Sequence, residues 1–518
     1  MSEPRVVTQP LGGSALSDAV ATASLGPGMV DALPMSVDAW RQRARDVASH
    51  AAPGWLDRLA DAFGGDITRL GRVQRAAATG GVVVTTGQQA GLFGGPMYTW
   101  SKAIGALALA DELERTTGIA TAPVFWAATD DADFVEASHT HIVLDGVVQD
   151  LTLPPAESEG APMAVVPLVG TEPLRERLRA ACRSMAFRDA WEAIEAAYVD
   201  GHTVGDAYVQ LLRALLEPLG IAVLDSSHPQ VRVAGTPVTR LALERAAEVE
   251  VALRERSDWL VAHGHRPQVA DVPALSTVFE LDGGRKRRVP VARAAHVAGT
   301  SAEGALSPNV LLRPVMERAI LPTVCYVAGP GELAYFAQVP AVADALGVAR
   351  PMAVPRWSCT IVEPAVDRAL ARLGVELDEM SDAVALERRL AHSEIPQKVQ
   401  RALADLRGAM TAGVQNLGNA DAGVLLPPKV LEGAGHQLAF RLDRLERRLA
   451  AAAKRRGSDA LRDLALARAS LWPDGHRQER TLNFIPFIAR FGPALWEQMR
   501  TRAAEHAERL VGGSRTRG

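Results

Sequence analysis

Val82-Val-Val-Thr-Thr-Gly-Gln-Gln-Ala-Gly-Leu-Phe-Gly-Gly-Pro96 is the stretch on which the fold turns. Val82–Thr86 is β-branched and stops at a glycine, which predicts a strand. Glycines follow, and Pro96 suits the first turn of a helix that runs to Thr117 and closes on Gly118. Pro123-Val-Phe-Trp-Ala-Ala128 then reads as a second strand. Strand, turn, helix and strand in this span form a βαβ unit, which requires parallel pairing. No charge occurs from Ala76 to Ser101, long enough to cross a bilayer. Gly80, Gly81, Gly87, Gln88, Gln89, Gly91, Gly94, Gly95 and Pro96 would leave polar groups unsatisfied in hydrocarbon, so a buried strand and turn is the better reading.

Working outward, Ile221–Asp225, Thr323–Ala328 and Met352–Pro355 are further short apolar runs flanked by helical sequence. Together they predict an α/β fold: a Rossmann-like, doubly wound parallel sheet with helices on both faces. The core is expected over residues 1–380, with less regular insertions at about 145–205 and 230–300. From Ser381 to Trp472 the sequence turns to Ala, Leu, Arg and Glu. Leu438, Leu442, Leu445 and Leu449 are spaced four, three, four, an a/d seam within a helix. An earlier helix at about 382–414 and the turn-rich GNADAGVLLPP predict a helical hairpin, here 381–471. Its seam is either the hairpin's own interior or a dimer contact. Residues 472–518 are expected to return to the core.

The 518 residues carry 56 Lys and Arg against 60 Asp and Glu, a formal charge of −4, and this balance gives no reason to expect nucleic acid. Apolar residues at 48% and charged residues at 22% exclude a disordered chain. Cys182, Cys325 and Cys359 are far apart, which excludes a disulfide framework and a thiolate zinc site. MSEPRVVTQPLGG has no basic segment leading into an apolar run, so a cytoplasmic protein without membrane attachment is expected.

Ligands of open α/β sheets bind beyond the carboxyl ends of the strands, so the residues after each strand are the candidates. The first turn, Gly87-Gln-Gln-Ala-Gly91 with Gly94-Gly95-Pro96, could bring backbone N–H groups to an anion. It matches neither phosphate-loop spacing. Tyr98 and Lys102 share a helix face, with Lys102 in reach of a phosphate or carboxylate. The second strand ends in Thr129-Asp-Asp-Ala-Asp133. Asp130, Asp131 and Asp133 would hold Mg2+ on a nucleotide, hold an amine, or form a plain solvated loop. His139 and His141 point to one face, where ordinary packing is favoured over a metal pair. Asp225 ends its strand at the same edge. Gly329-Pro-Gly331-Glu332 opens another helix that carries Tyr335 and Gln338, Arg356 follows the last strand, and SPNVLLR contributes Asn309 and Arg313. Pro314 argues against a clean helix at that point. Cys325 lies within an apolar strand and reads as core. With no G-x-S-x-G and no H-E-x-x-H, catalysis by positioning and charge is expected.

TTGQQAGLFGGPMYTWSK, PVFWAATDDADFVEASH, SPNVLLRPVMERAILPTVCYVAGPGELAYFAQ and QERTLNFIPF resemble the bacillithiol biosynthesis cysteine-adding enzymes, in the same order over about residues 80–492. The resemblance implies a nucleotidyltransferase-like Rossmann core and a coiled-coil domain able to mediate a homodimer. It also implies addition of cysteine to the amino group of glucosaminyl-malate, completing bacillithiol. The family pattern carries a histidine where this chain has Ala132. Matched by motif, the resemblance implies that Lys102, Asp130, Asp131 and Asp133 belong to the pocket, and catalytic roles are expected of them. It implies pocket positions for Gln88, Gln89, Gly91, Tyr98, Asn309, Arg313, Gly331, Glu332, Tyr335 and Gln338; together with Gly87, Gly329 and Arg356, read from their places after strands, these are expected to contact substrate or nucleotide. The expected scheme places ATP with Mg2+ over the first glycine turn, with Lys102 at its phosphates and Arg313 or Arg356 at the malate carboxylates. Rival expectations are an adenylate-forming enzyme for another small molecule and a nucleotide-binding coiled-coil scaffold without turnover.

Overall fold

A computed structural model describes residues 3–393, 396–421, 424–456 and 458–513. The described residues fall into two compact units. One lies within Met1–Leu144, Gln149–Ile361 and Gln478–Gly518, the other within Asp145–Val148 and Val362–Arg477.

The first unit is built on five parallel strands: β1 (Val82–Gln89), β2 (Thr121–Ala128), β3 (Ala222–Asp225), β4 (Thr323–Ala328) and β5 (Ala353–Pro355). Their spatial order is β5-β4-β1-β2-β3. The central strand β1 pairs along its whole length with β2, from Val82 opposite Thr121 to Gln89 opposite Ala128. On its other side it pairs with β4, Tyr326 opposite Thr85. Both faces of the sheet are covered, as parallel strands require. Val82, Val84, Phe125, Ala127 and Val327 enter one buried cluster, while Val83, Val124, Trp126, Leu224 and Ala328 enter the other.

Helix α1 (Tyr98–Thr117) covers the first face and is buried nearly all round, including Trp100, Ala103, Ile104 and Leu107. A helix apolar on every side needs a second layer. That layer is α4 (Ile485–Val511), whose Trp496 lies 6.2 Å from Trp100, while Phe484 stacks on Trp100 at 5.3 Å. Gly118 caps α1 at φ 74°, the left-handed turn anticipated there. The other face carries α2 (Arg313–Ile320) and α3 (Pro330–Phe336) through Val315, Met316, Leu333 and Ala334.

Pro96, expected in the first turn of α1, precedes the helix, which begins at Tyr98, and two further readings change in this unit. Gly87, Gln88 and Gln89 extend β1 and do not begin the turn, because each pairs with β2. Pro314 sits in the first turn of α2, where its missing N–H costs no hydrogen bond, so it starts a helix where a disrupted one was expected.

The second unit is helical: Pro364–Leu373, Ala383–Ser393, Gln397–Asp421, Pro428–Arg456 and Ser458–Leu471. The helix expected at about 382–414 is two helices, and residues 394–395 between them lie outside the described set, as do 422–423 of the expected turn. Arg407 bridges the long pair by contacting Asp443 at 2.8 Å and Glu446 at 2.9 Å. Of the seam leucines Leu442 is buried, whereas Leu438 and Leu445 are exposed in this chain. Residues 478–513 return to the first unit, and 514–518 lie outside the described residues. No described helix is long and apolar enough to cross a membrane.

Because Ile104 is fully enclosed, Ile104→Ala is expected to cost about 2–5 kcal/mol through lost burial and a residual cavity. A drop in the denaturant midpoint of the first unit's transition checks this.

Candidate active site

The chain runs outward from β1 through β2 and β3 on one side, and through β4 and β5 on the other. The direction reverses between β1 and β4, so a crevice opens beyond their carboxyl ends. A cavity of about 1300 Å³ lies there. Gly87, Gln88, Gln89, Tyr98, Lys102, Asp130, Asp131, Asp133, Asn309, Arg313, Gly329, Gly331, Glu332, Tyr335 and Arg356 all line it. Gly91 and Gln338 do not.

The centre of the crevice is an ion pair between Lys102 on α1 and Glu332 on α3, 2.6 Å apart, with Lys102 wholly buried and Glu332 partly open to the cavity. Lys102 also donates to the Gly87 carbonyl and, at 3.2 Å, to Gln88 Oε1. An ammonium has three donors, and all three are committed. Lys102 therefore positions its neighbours and has no donor left for a phosphate, contrary to the expectation. Its contact dictates the Gln88 amide: Oε1 faces Lys102, and Nε2 donates to the Tyr98 hydroxyl at 3.2 Å. That hydroxyl is an acceptor in this chain of bonds, so its own proton is free for the cavity. Burial first, then Glu136 and Glu332, raise the Tyr98 phenol well above its ordinary value, which keeps it protonated and able to donate.

Burial lowers Lys102, opposed by the attraction of Glu332. For Glu332 burial pushes upward but is outweighed by Lys102, by Tyr326 Oη donating at 2.5 Å and by the Gly329 N–H donating at 2.7 Å, so the carboxyl sits below its usual range.

The acidic loop does not converge on one point. Asp130 is paired with Lys286 at 3.4 Å and receives the Ser226 hydroxyl at 2.6 Å; together they outweigh burial and hold it below the usual carboxylate range. Asp131 accepts the N–H of Asp133 at 2.9 Å, and Asp133 accepts that of Glu136 at 3.0 Å to cap the short helix Phe134–Ala137. Among the described residues no three His, Cys, Asp or Glu side chains are placed to share a metal. His139 and His141 lie edge to face on the strand His139–Leu144. Asp225 accepts the Thr129 hydroxyl and the Ser227 N–H, so it anchors the loop and does not line the cavity.

Both proposed carboxylate-binding arginines are already engaged. Arg313 pairs with buried Glu317 at 2.8 Å and donates to Tyr335 Oη at 2.9 Å, while Arg356 forms a two-pronged pair with buried Glu479 at 2.6 and 2.9 Å. The first glycine turn is no phosphate cradle. Gly94 donates to the Gly91 carbonyl and to Tyr198 Oη, and Gly95 donates to the Leu92 carbonyl. Gly91 leaves so little room that an added Cβ would lie 2.8 Å from Gly95 Cα. Asn483 holds the turn from behind, its amide donating to the carbonyls of Phe93 at 3.0 Å and Gly95 at 3.3 Å. Gln338 faces away and clamps both backbone polar groups of Val269 at 3.0 Å.

Asn309 accepts the N–H groups of Leu311 and Leu312 and so shapes the entry to α2. The residues that sequence reasoning missed are Ser226, Lys286, Arg288, Glu317, Tyr326, Glu479 and Arg480. Lys286 and Arg288 belong to the strand Arg285–Pro290, whose run of four basic residues was a visible signal.

Two domain families match the chain. The N-terminal Rossmann-like domain of bacillithiol biosynthesis BshC matches residues 38–357, and the C-terminal coiled-coil domain of BshC matches residues 359–509. Curated relatives carry the name "Putative cysteine ligase BshC". The one from Solibacter usitatus is 32% identical over 463 residues, 85% of this chain and 86% of the relative. That from Koribacter versatilis is 31% identical over 467 residues, again 85% and 86%. That from Salinibacter ruber is 29% identical over 522 residues, 91% and 92%.

Glu332 and Asp130 bind protons less readily in the folded chain than in the unfolded one. They therefore add stability above the unfolded carboxylate range, about pH 4, and that stability is lost as pH falls through their lower folded values. Replacing Glu332 by Gln should flatten the fall of the melting temperature between about pH 5 and pH 3. An unchanged slope in thermal melts would contradict the assignment.

Proposed function

This chain belongs to the bacillithiol biosynthesis BshC family, and on that footing we propose that it is a cysteine ligase. It joins the carboxylate of L-cysteine to the amino group of glucosaminyl-malate in an amide bond. The reading is carried by the cavity at the strand reversal, which presents Asp131 and Asp133, without a cation partner among the described residues, beside a hydroxyl donor of fixed direction. A ligase of this kind has to hold an amine and an acyl oxygen side by side.

Asp131 faces the amine. It has no cation within ion-pair distance among the described residues, and its loop is braced by the Met163 N–H donating to its carbonyl at 2.9 Å. The amine must reach the acyl carbon as a neutral nucleophile, so the carboxylate next to it takes up the proton lost as the C–N bond forms. Tyr98 donates to the acyl oxygen as negative charge develops there, with Gln88 and Lys102 holding its direction. The acyl carbon's leaving oxygen departs with the activating group. That activation is what ATP with Mg2+ supplies when bound. One residue that would face its phosphates is Arg480, which lines the cavity near Tyr98 and has no carboxylate partner among the described residues. Since no three-ligand cluster forms among the described residues, Mg2+ would be held mainly by the phosphates, with one or two carboxylates from the acidic loop.

Asp131→Asn is expected to lower turnover by about a hundredfold, the usual worth of a positioned acid or base, with the melting temperature unchanged. Steady-state assays and thermal melts check both parts. Incubation with cysteine and glucosaminyl-malate, with and without ATP and Mg2+, tests the function itself by mass detection of the thiol product. ATP consumption without that product would favour an adenylate-forming enzyme for another substrate, and binding without turnover would favour a scaffold.

A further inference from the structure

Six cations line the cavity: Lys102, Lys286, Arg288, Arg313, Arg356 and Arg480. Four are spent on carboxylates of the protein itself, namely Lys102 on Glu332, Lys286 on Asp130, Arg313 on Glu317 and Arg356 on Glu479. Arg480 is exposed and no contact orients it in the described structure. Arg288 is different. It is half-buried, and its Nε donates to the Ser276 carbonyl at 2.7 Å while the guanidinium lies over the Phe279 ring, 5.7 Å from its centre. Asp271 attracts it from beyond ion-pair distance. Both terminal nitrogens, Nη1 and Nη2, remain without a hydrogen-bond partner among the described residues.

The strand Arg285–Pro290 explains how the residue comes to be there. Side chains alternate along a strand, so Lys286 and Arg288 share one face while Arg285 and Arg287 share the other. Arg287 pairs outward with Asp282 at 3.2 Å. Lys286 and Arg288 both lie over Phe279 and both line the cavity, but only Lys286 has a carboxylate. A guanidinium tethered at Nε and braced by a ring keeps its outer fork in one plane, the geometry that receives two oxygens of a carboxylate or phosphate.

We propose that Arg288 is the oxyanion receptor of this cavity. It binds either a carboxylate of the malate moiety or a phosphate of the nucleotide; the names of these two ligands rest on the ligase reading above, whereas the receptor does not. Arg313 and Arg356, the arginines expected at the malate carboxylates, are already committed to Glu317 and Glu479.

Titration calorimetry of the full chain with L-malate, with MgATP and with glucosamine tests this on the wild type, Arg288→Gln and Arg288→Lys. Arg288→Gln is expected to weaken binding of one anion at least about tenfold, the worth of a charge-assisted hydrogen bond, and Arg288→Lys to recover part of the loss. Whichever of L-malate and MgATP weakens identifies the source. Glucosamine binding and the melting temperature should not move. In turnover assays KM for the same ligand rises while kcat stays within about threefold, as expected for uniform binding. The proposal is overturned if Arg288→Gln binds both anions as the wild type does, if all ligands weaken together with a lower melting temperature, or if the wild type binds neither anion. Should the wild type form no thiol product, the ligase reading fails and the binding titrations still decide the role of Arg288.

Discussion

Lys102 and Glu332 meet where the sheet reverses direction, and the rest of the crevice is arranged around that contact. One residue comes from the helix after β1, the other from the helix after β4, so the pair ties together the two halves of the doubly wound fold. A buried ammonium needs every donor satisfied. Gly87 and Gln88 satisfy the remaining two, and this necessity sets the Gln88 amide and hence the direction of the Tyr98 hydroxyl. A demand of desolvation thereby becomes a demand on geometry.

The same logic governs the other charges. Arg313, Arg356 and Lys286 are each matched by a carboxylate of the chain, so the cavity is a set of preformed ion pairs with few uncommitted groups. Preformed pairs do not have to reorganise when a ligand enters, which is how a polar site gains electrostatic stabilisation beyond that of water. Selectivity then belongs to the groups left over: Asp131, the Tyr98 proton and the fork of Arg288.

Much of this was legible in the sequence. The β-branched run at Val82, the glycine closing α1 and the apolar run at Thr323 are local signals, and the structure places the corresponding elements there with ends moved by a few residues. Residues after strand ends were rightly sought as cavity lining, because parallel topology brings those ends to one edge. Partner choice was not legible. Arg356 and Lys102 looked like free cations because their partners, Glu479 and Glu332, are 123 and 230 positions away, and nothing local reports such a pairing. The first glycine turn looked like a phosphate loop because the amide that fills it from behind, Asn483, is contributed from almost 400 residues further on. Lys286 and Arg288 were overlooked for another reason: a basic run reads as a solvated face until Phe279 and the Asp130 carboxylate are known to lie beside it.

A double-mutant cycle on Lys102 and Glu332, each changed to Met singly and together, tests most directly the claim that this pair organises the site. Each single variant leaves a charge without its partner and should lose about 3 kcal/mol in denaturant unfolding, the lower end of the range for buried pairs because Glu332 is partly open. The double variant should be more stable than either single one yet remain without turnover, since Gln88 and Tyr98 have lost their alignment. Additive losses of stability, or full turnover in the double variant, would contradict it.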